Sequence, residues 1–243
     1  MNAIDEIYTA HPFYGSRRLA VELGRTYQLS ACRDHVRRLM RQMGLEAIYP
    51  KKNRGSEPNI AHTKYPYLLT NLTLTSPNQV WGTDITYIRL AKGFCYLVAI
   101  IDWYSRYVVS WRLSDSLHID FCLENVMAAL QEAVPLIHNS DQGSHFTSPA
   151  YTAILRERGT QISMDGRGRC MDNIFTERLW RSVKYEDTYL KSYTTIEEAR
   201  TGLNQYFPFY NNDRPHQSLD YRPPVELYRG TKKLPSGSTH HSL

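Results

Sequence analysis

The sequence predicts an α/β fold, a mixed five-stranded sheet with helices on both faces, preceded by a small all-α helix-turn-helix domain. Residues 80–113 contain three runs rich in β-branched and aromatic residues with tight turns between them, which predicts an antiparallel meander. Residues 119–210 then alternate helical patterns with short apolar runs, an order typical of further strands joined by helices. Residues 4–43 show only helical apolar spacing.

Residues 1–49 have the spacing of three short amphipathic helices. The second is predicted to end at Gly24 and the third before Gly44, since glycine commonly follows the last helical residue. In the third, apolar residues recur at i, i+3, i+4 and i+7 from Val36 to Met43. Three arginines lie four residues apart on another face of this helix: Arg33, Arg37 and Arg41. This basic face fits a recognition helix in a DNA groove, and equally a solvated face on a small bundle.

Three strands are predicted over residues 80–90, 94–104 and 107–113, where Val, Ile, Tyr and Trp are frequent. The second run is almost entirely apolar, as expected for a central strand buried on both faces. Alternating helices and short strands follow over residues 119–133, 135–138, 149–158, 160–163, 171–187 and 195–210. The helix at 149–158 has a proline near its first position and a glycine directly after it, which are helix start and stop signals.

Composition shifts divide the chain into four predicted parts. Residues 1–49 form the helix-turn-helix domain, and residues 50–79, polar and rich in Pro and Gly at the start, form a linker. Residues 80–228 form the α/β core with its C-terminal helices, and residues 229–243 form a polar tail that we expect to be disordered.

Charge and composition narrow the class of protein. The net charge is +5, and residues 1–60 hold ten Lys/Arg against six Asp/Glu, which indicates a polyanion contact through the N-terminal part. The four cysteines are dispersed, so a disulfide framework and a structural zinc site are not expected. No apolar run reaches membrane-spanning length and no signal peptide is visible, so we expect a cytoplasmic protein with no membrane partner.

Three carboxylates occupy unusual places in the predicted core. Asp84 lies in the middle of the first strand, where a charge is costly without a partner or a metal. Asp141 directly follows a short apolar strand, and Glu177 lies on a later helix. Each also has an ordinary alternative explanation. Asp84 could pair with an arginine, and Asp141 could cap the turn before Gly143. Glu177 could form an i, i+4 ion pair with Arg181.

Together the three carboxylates indicate a two-metal site. Two aspartates on neighbouring strands and a glutamate on a nearby helix can hold two divalent ions, and oxygen ligands suit Mg²⁺ or Mn²⁺. Two ions about 4 Å apart stabilise the attacking and leaving oxygens of an in-line phosphoryl displacement, so water or a DNA 3′-hydroxyl can attack. The sequence contains no G-x-x-x-x-G-K-[ST] phosphate loop, so ATP use is not expected.

Several motifs surround these carboxylates. They are Trp81-x-x-Asp84-Ile85-Thr86-Tyr87-Ile88, His138-Asn139-Ser140-Asp141-Gln142-Gly143-Ser144 and Asp172-Asn173-x-x-x-Glu177-Arg178. Thirty-five residues separate Asp141 from Glu177, and Lys184 lies seven residues beyond the glutamate. This pattern resembles the retroviral-integrase-like core of bacterial insertion-sequence transposases. Two further segments resemble OrfB-type proteins of that group: Pro12-Phe13-Tyr14-Gly15-Ser16-Arg17-Arg18 and Tyr210-Asn211-x-x-Arg214-Pro215-His216.

The resemblance implies an RNase H-like fold and a DDE-type transposase. Such an enzyme cleaves DNA at element ends and joins the freed 3′-hydroxyl to target DNA. The resemblance assigns Asp84, Asp141 and Glu177 as the catalytic triad, which holds two Mg²⁺ or Mn²⁺ ions. Asp102 and Asp172 do not fall on triad positions, so we expect them to have structural or supporting roles.

Basic residues are the expected DNA contacts. The resemblance places Lys184 near the active site, and Arg181 shares a broad helix face with Glu177. The other expected contacts lie in the N-terminal helices: Arg17, Arg18, Arg33, Arg37 and Arg41.

The expected partners are double-stranded DNA, as element ends and target, and an upstream OrfA-type protein or fusion. In the family, OrfA usually carries terminal-repeat recognition and a coiled coil, and this sequence has no sustained heptad repeat. We also expect a homo-oligomer on DNA. Two alternative functions remain at this stage: a non-catalytic DNA-binding regulator of a full-length transposase, and a simple nuclease of the same fold.

Overall fold

Five strands form one mixed sheet within the described residues, as the sequence predicts. The computed structural model describes residues 1–48, 65–165 and 173–230. The strands are β1 (Val80–Arg89), β2 (Phe94–Asp102), β3 (Val108–Ser114), β4 (Ile137–Ser140) and β5 (Gln161–Met164). Their order in the sheet is β3-β2-β1-β4-β5. The first three pair antiparallel, whereas β4 runs parallel to both β1 and β5.

Helices cover both faces of this sheet. Three precede it: α1 (Asn2–Ala10), α2 (Ser16–Tyr27) and α3 (Arg33–Gln42). Two lie between its later strands: α4 (Asp120–Glu132) and α5 (Pro149–Glu157). Four follow: α6 (Ile174–Val183), α7 (Tyr189–Lys191), α8 (Ile196–Asn212) and α9 (Pro224–Tyr228). A single 3₁₀ turn, Gln217–Leu219, separates the last two of these helices.

Strand β2 is buried on both faces, which explains its nearly continuous apolar sequence. Val98 and Ile100 belong to one core cluster, which they share with residues of α4 and α5. Leu97, Ala99 and Ile101 alternate with them and belong to the opposite cluster, shared with α6 and α8. Because α6 packs on the face next to β1, the fold brings the helix of Glu177 to the strand of Asp84.

The N-terminal helices have a small core of their own, built from residues such as Leu19 and Val36. The expected helix end at Gly24 is wrong, because α2 continues to Tyr27. Its C-cap is Gln28, which has a left-handed φ of 56°. The extra turn lets Tyr27 pack against this core. The stop after the third helix is confirmed, since Gly44 adopts a φ of 67° just beyond α3.

Helix α6 does not run uniformly to residue 187 as predicted. Residues Lys184–Thr188 form a π-helical turn, which leads into the short α7. This wider turn buries Glu186, Asp187 and Thr188. Periodicity offers no signal for one extra residue in a helical turn, so the sequence prediction could not contain it.

The connecting and terminal segments are described only in part. Residues 65–79 contain no helix or strand, and Leu69 within them is buried in the core. The remainder of the predicted linker and the predicted disordered tail beyond residue 230 lie outside the described residues. The four domain boundaries therefore stay predictions. Among the described residues, no helix is long and apolar enough to cross a membrane.

Candidate active site

Parallel pairing of β1 and β4 places the two aspartates side by side. The register aligns Val80 with Ile137 and Gly82 with Asn139. Asp84 and Asp141 each lie two residues beyond the last of these pairs. They therefore occupy equivalent positions along two adjacent strands. Asp84 is partly buried, whereas Asp141 is exposed just beyond the end of β4.

The surroundings of the Asp84 carboxyl disfavour its charged form. Burial raises its pKa to about 7, and repulsion from Asp141 and Asp165 contributes in the same direction. Two hydrogen bonds oppose this shift. The Trp180 indole Nε1 donates to Oδ2 at 2.9 Å, and the backbone N–H of Ile85 donates to Oδ1 at 2.8 Å. Among the described residues, no ion pair joins Asp84 to an arginine, the partner considered from the sequence.

Asp141 is held by the turn that follows β4. The backbone N–H of Gly143 donates to its Oδ1 at 2.9 Å, so the turn-capping interaction considered from the sequence exists. Desolvation by the surrounding protein nonetheless raises the pKa of Asp141. Because a Cβ at Gly143 would lie 2.8 Å from Asp141 Oδ1, only glycine leaves this carboxylate in its place. Turn capping and an active-site role are thus compatible.

Glu177 lies on the first turn of α6 and is exposed. Trp180, three residues further on, makes the hydrogen bond to Asp84, so this part of the helix lies beside the two aspartates. The alternative ion pair with Arg181 is not formed, although both residues are described. The Arg181 guanidinium instead lies over the Tyr185 ring, 5.6 Å from its centroid.

The donor set fits a hard divalent cation. Asp84 and Asp141 are adjacent carboxylates whose mutual repulsion a cation would relieve. Among the described residues, no three His, Cys, Asp or Glu side chains already form a metal-binding group. Glu177 therefore does not share a preformed ligand cluster with the two aspartates.

Asp165 is a fourth carboxylate at this site, and the sequence analysis missed it. It follows β5 directly, just as Asp141 follows β4. The Asn139 amide donates to Asp165 Oδ1 at 2.8 Å, and Gln142 Nε2 donates to its backbone carbonyl at 2.9 Å. The signal was available, because parallel neighbouring strands end at the same edge of a sheet.

Lys184 begins the π-helical turn and lies in the electrostatic range of Asp84. Burial lowers its pKa, and the negative charge of Asp84 opposes that shift. The contact to DNA that the resemblance implies for Lys184 stays a prediction.

Asp102 has the structural role expected of it. The backbone N–H and hydroxyl of Ser105 donate to its Oδ1 at 2.7 and 2.6 Å. The backbone N–H of Asn78 donates to Oδ2 at 2.7 Å. These bonds hold the turn between β2 and β3. Asp172 lies outside the described residues.

A buried ion network joins the N-terminal helices to the core. Arg214 donates to Glu186 at 2.6 Å through both Nε and Nη2, and Arg18 pairs with the same carboxylate at 2.7 Å. The Tyr206 hydroxyl donates to Glu186 Oε2 at 2.9 Å. Arg18 thus uses its charge inside the protein, and its expected DNA contact stays a prediction.

The other expected DNA-binding arginines of the N-terminal helices lie nearer the surface, although Arg33 pairs with Asp34 and Arg17 donates to Gln217. Arg17, Arg33 and Arg37 line a cavity of about 430 Å³ at the start of α2. Arg41 is exposed further along α3. Their contacts to DNA also stay predictions.

Family models match nearly the whole described chain. An HTH-like domain matches residues 1–53, and two models of the integrase core domain match residues 75–170 and 158–224. The fold of the simian T-cell lymphotropic virus intasome aligns with 99% of this chain and 77% of that chain, at 12% identity and a TM-score of 0.58. The catalytic core of the HTLV-2 integrase, solved with magnesium, covers 63% of this chain at 19% identity and a TM-score of 0.50.

Curated relatives are insertion-sequence proteins. The transposase of insertion sequence element IS629 from Shigella sonnei is 32% identical over 219 residues, which are 89% of this chain and 74% of that protein. The transposase of IS904 from Lactococcus lactis is 33% identical and covers 86% of each chain. The putative transposase of IS150 from Escherichia coli is 30% identical over 96% of this chain and 83% of its own length. With its mixed sheet, adjacent aspartates and helix-borne glutamate, the chain belongs to the insertion-sequence transposases with an integrase-like core, DDE-type enzymes of DNA cleavage and strand transfer.

Proposed function

We propose that Asp84, Asp141 and Glu177 are the catalytic carboxylates of this transposase and hold two divalent cations, Mg²⁺ or Mn²⁺. The observation that carries the proposal is the parallel register of β1 and β4, which brings Asp84 and Asp141 close enough for their charges to repel. A neighbouring structural relative, the HTLV-2 integrase core, was solved with magnesium. Bound cations would supply charge stabilisation at the scissile phosphate and at the attacking oxygen.

The protein's own groups orient this site. The Trp180 indole fixes Oδ2 of Asp84, and the Gly143 N–H fixes Oδ1 of Asp141. Glu177 completes the ligand set from α6, because its helix already contacts β1 through Trp180. Lys184 binds a DNA phosphate close to the reacting bond, as its place beside Asp84 allows.

The proposed substrate is double-stranded DNA, first as element ends and then as target. The basic residues of the N-terminal helices, above all Arg17, Arg33 and Arg37, bind its backbone. An OrfA-type protein, separate or fused upstream, supplies most of the terminal-repeat recognition, and several copies assemble on the DNA. The site of action is then the bacterial nucleoid in the cytoplasm.

The test is metal-dependent nicking of supercoiled plasmid by the purified chain, followed by joining of a labelled 3′-hydroxyl end to the plasmid. We expect nicking and joining with Mg²⁺ or Mn²⁺, and neither with EDTA. Nicking without joining would indicate the simple nuclease. Binding without either reaction, even with the OrfA partner added, would contradict the catalytic assignment and favour the regulator.

A further inference from the structure

A second basic cavity, of about 590 Å³, lies against α6, the helix that carries Glu177. Five arginines and a single glutamate, Glu186, contribute to its lining. Two of these arginines, Arg18 and Arg214, are already paired with Glu186. His216 adds no charge, because burial and the nearby arginines lower its pKa to about 2. The cavity therefore keeps an excess of positive charge from its other three arginines: Arg106, Arg178 and Arg181.

The Arg106 guanidinium has a buried donor that lacks an acceptor among the described residues. The guanidinium lies over the Phe175 ring, 3.6 Å from the centroid, and its buried Nη1 has no hydrogen-bond partner in the part of the chain that the structure describes. Burial lowers its pKa to about 10, with Asp102 acting against the shift, so it stays charged at neutral pH. The charge of Arg178 also lowers this pKa, so the two guanidinium groups lie close enough to repel. An anion between them would satisfy the orphaned donor and remove the repulsion.

The cavity is continuous with the DNA-facing parts of the protein. Phe175, Arg178 and Ser182 line it from α6, the helix that carries Glu177. Arg18 and Gln217 line both this cavity and the basic cavity at the start of α2. The two basic cavities therefore adjoin and form a continuous basic track from the N-terminal helices to α6.

The aromatic side chains of the cavity favour a phosphate over a nucleobase. Arg106 covers the Phe175 ring, and Arg181 lies 5.6 Å from the Tyr185 centroid. His216 meets the Tyr210 ring edge-on at 4.8 Å between centroids. Because these rings, among the described residues, already have cationic or ring partners, the guanidinium donors are the groups best placed to receive a ligand, and they suit phosphate oxygens.

We propose that this cavity binds a backbone phosphate of the DNA strand that crosses α6, with Arg106 and Arg178 as its principal ligands. The proposal rests on the chain's action on DNA, but not on the identity of its metal ligands. It adds a DNA contact outside both the carboxylate site and the N-terminal helices.

The test is the salt dependence of binding to a 5′-hydroxyl duplex of arbitrary sequence, measured by fluorescence anisotropy with the full chain in EDTA. We expect Arg178→Gln and Arg106→Gln each to reduce the log–log slope by about 0.9, the value for one lost phosphate contact on duplex DNA. The matched control is Arg158→Gln, an exposed arginine at the end of α5, which should leave the slope unchanged. Arg178 is exposed, so its variant should fold even if the half-buried Arg106 proves sensitive.

Slopes for Arg178→Gln and Arg106→Gln that equal the slope for Arg158→Gln, with wild-type DNA binding intact, would overturn the proposal. A loss that appears only on 5′-phosphorylated duplexes would also overturn it, because the cavity would then bind a terminal phosphate. The assay contains no metal. If the metal-ligand assignment were wrong, these slopes would therefore be unaffected. A failure of that assignment can thus be distinguished from a failure of the phosphate-binding proposal.

Discussion

Trp180 connects the two halves of the candidate active site through one hydrogen bond. Its indole reaches from α6 to Asp84 Oδ2 at 2.9 Å, three residues beyond Glu177. The backbone N–H of Gly143 donates in the same way to Oδ1 of the second aspartate, Asp141. These two supporting contacts fix carboxylate oxygens that would otherwise rotate, and metal sites depend on such orientation.

Trp180→Phe should lower the rate of metal-dependent nicking by about 10–100-fold, the usual cost of losing a group that orients a metal ligand. Phenylalanine keeps most of the ring packing but cannot donate to Asp84. Trp111→Phe is the control, because it removes an indole on β3 that makes no contact with Asp84. Equal rates for Trp180→Phe and the control would show that the hydrogen bond is unimportant.

Gly143→Ala should reduce nicking while leaving the free energy of unfolding within about 0.5 kcal/mol of wild type. The new Cβ would meet Asp141 Oδ1 at 2.8 Å, so the carboxylate must rotate away while the fold accommodates the change. Gly24→Ala serves as the control: its added Cβ meets no neighbouring atom within 4 Å, it should leave nicking unchanged, and inside α2 it should stabilise the protein by up to about 1 kcal/mol. Chemical denaturation and nicking rates together check this result, and full activity in Gly143→Ala would contradict it.

At the scale of elements, the site depends on how closely α6 approaches β1. Gly82 on β1 makes this approach possible, because a Cβ there would lie 2.2 Å from Trp103 Nε1 and 3.1 Å from Thr176 Oγ1. Thr176 is buried on the first turn of α6, next to Glu177. The glycine thus leaves room for the Trp103 indole between the strand of Asp84 and the start of the helix of Glu177.

Gly82→Ala should destabilise the protein by about 1–3 kcal/mol, as overpacking of a filled core does. It should also reduce nicking, because the Trp103 indole must move and the first turn of α6 beside it must adjust. Urea denaturation measures the first effect, with Gly24→Ala again as the control. A Gly82→Ala protein with wild-type stability would contradict the close packing of Trp103 and Thr176 on Gly82.

Most strands and helices, and two of the site carboxylates, were predictable from short stretches of sequence. A charge within an apolar strand marks Asp84, and a carboxylate directly after an apolar run marks Asp141. Asp165 carries the same signal after β5 and was missed. The end of α2 was misplaced, because packing of Tyr27 outweighs the stop signal of Gly24.

For the whole molecule, the Glu186 network ties α2, the π-helical turn and the end of α8 together. Sequence patterns could not reveal it. Arg18 and Glu186 are 168 positions apart, and the contact with Arg214 depends on the wider turn after α6. The resemblance marked Arg214 and His216 as a shared segment, but their role in holding the chain together is visible only in three dimensions.

Glu186→Gln should destabilise the protein most near neutral pH, and the difference from wild type should shrink as the solution is acidified. Burial alone would raise the pKa of Glu186, but Arg214 and Arg18 lower it from 4.5 to about 2. A carboxylate with a lowered folded-state pKa stabilises the fold fully above its unfolded pKa, and loses that stabilisation as pH falls toward the folded pKa. The window is therefore about pH 4.5 to 2.

Denaturant unfolding of both proteins across that window measures this difference. Glu157→Gln is the control, because it removes an exposed carboxylate on α5. The role assigned to the network would be contradicted if the loss of unfolding free energy in Glu186→Gln stayed constant down to pH 2. A loss equal to that of the control would contradict it as well.

The most direct test of the three-carboxylate site is anomalous diffraction from crystals of the chain with bound DNA and Mn²⁺. We predict two manganese peaks beside the scissile phosphate, with oxygens of Asp84, Asp141 and Glu177 as ligands at about 2.0–2.5 Å. Glu177 should then join the aspartates in one ligand cluster, which the described residues do not already contain. Peaks held by Asp165 in place of Glu177, or no peak between Asp84 and Asp141, would contradict the proposed site.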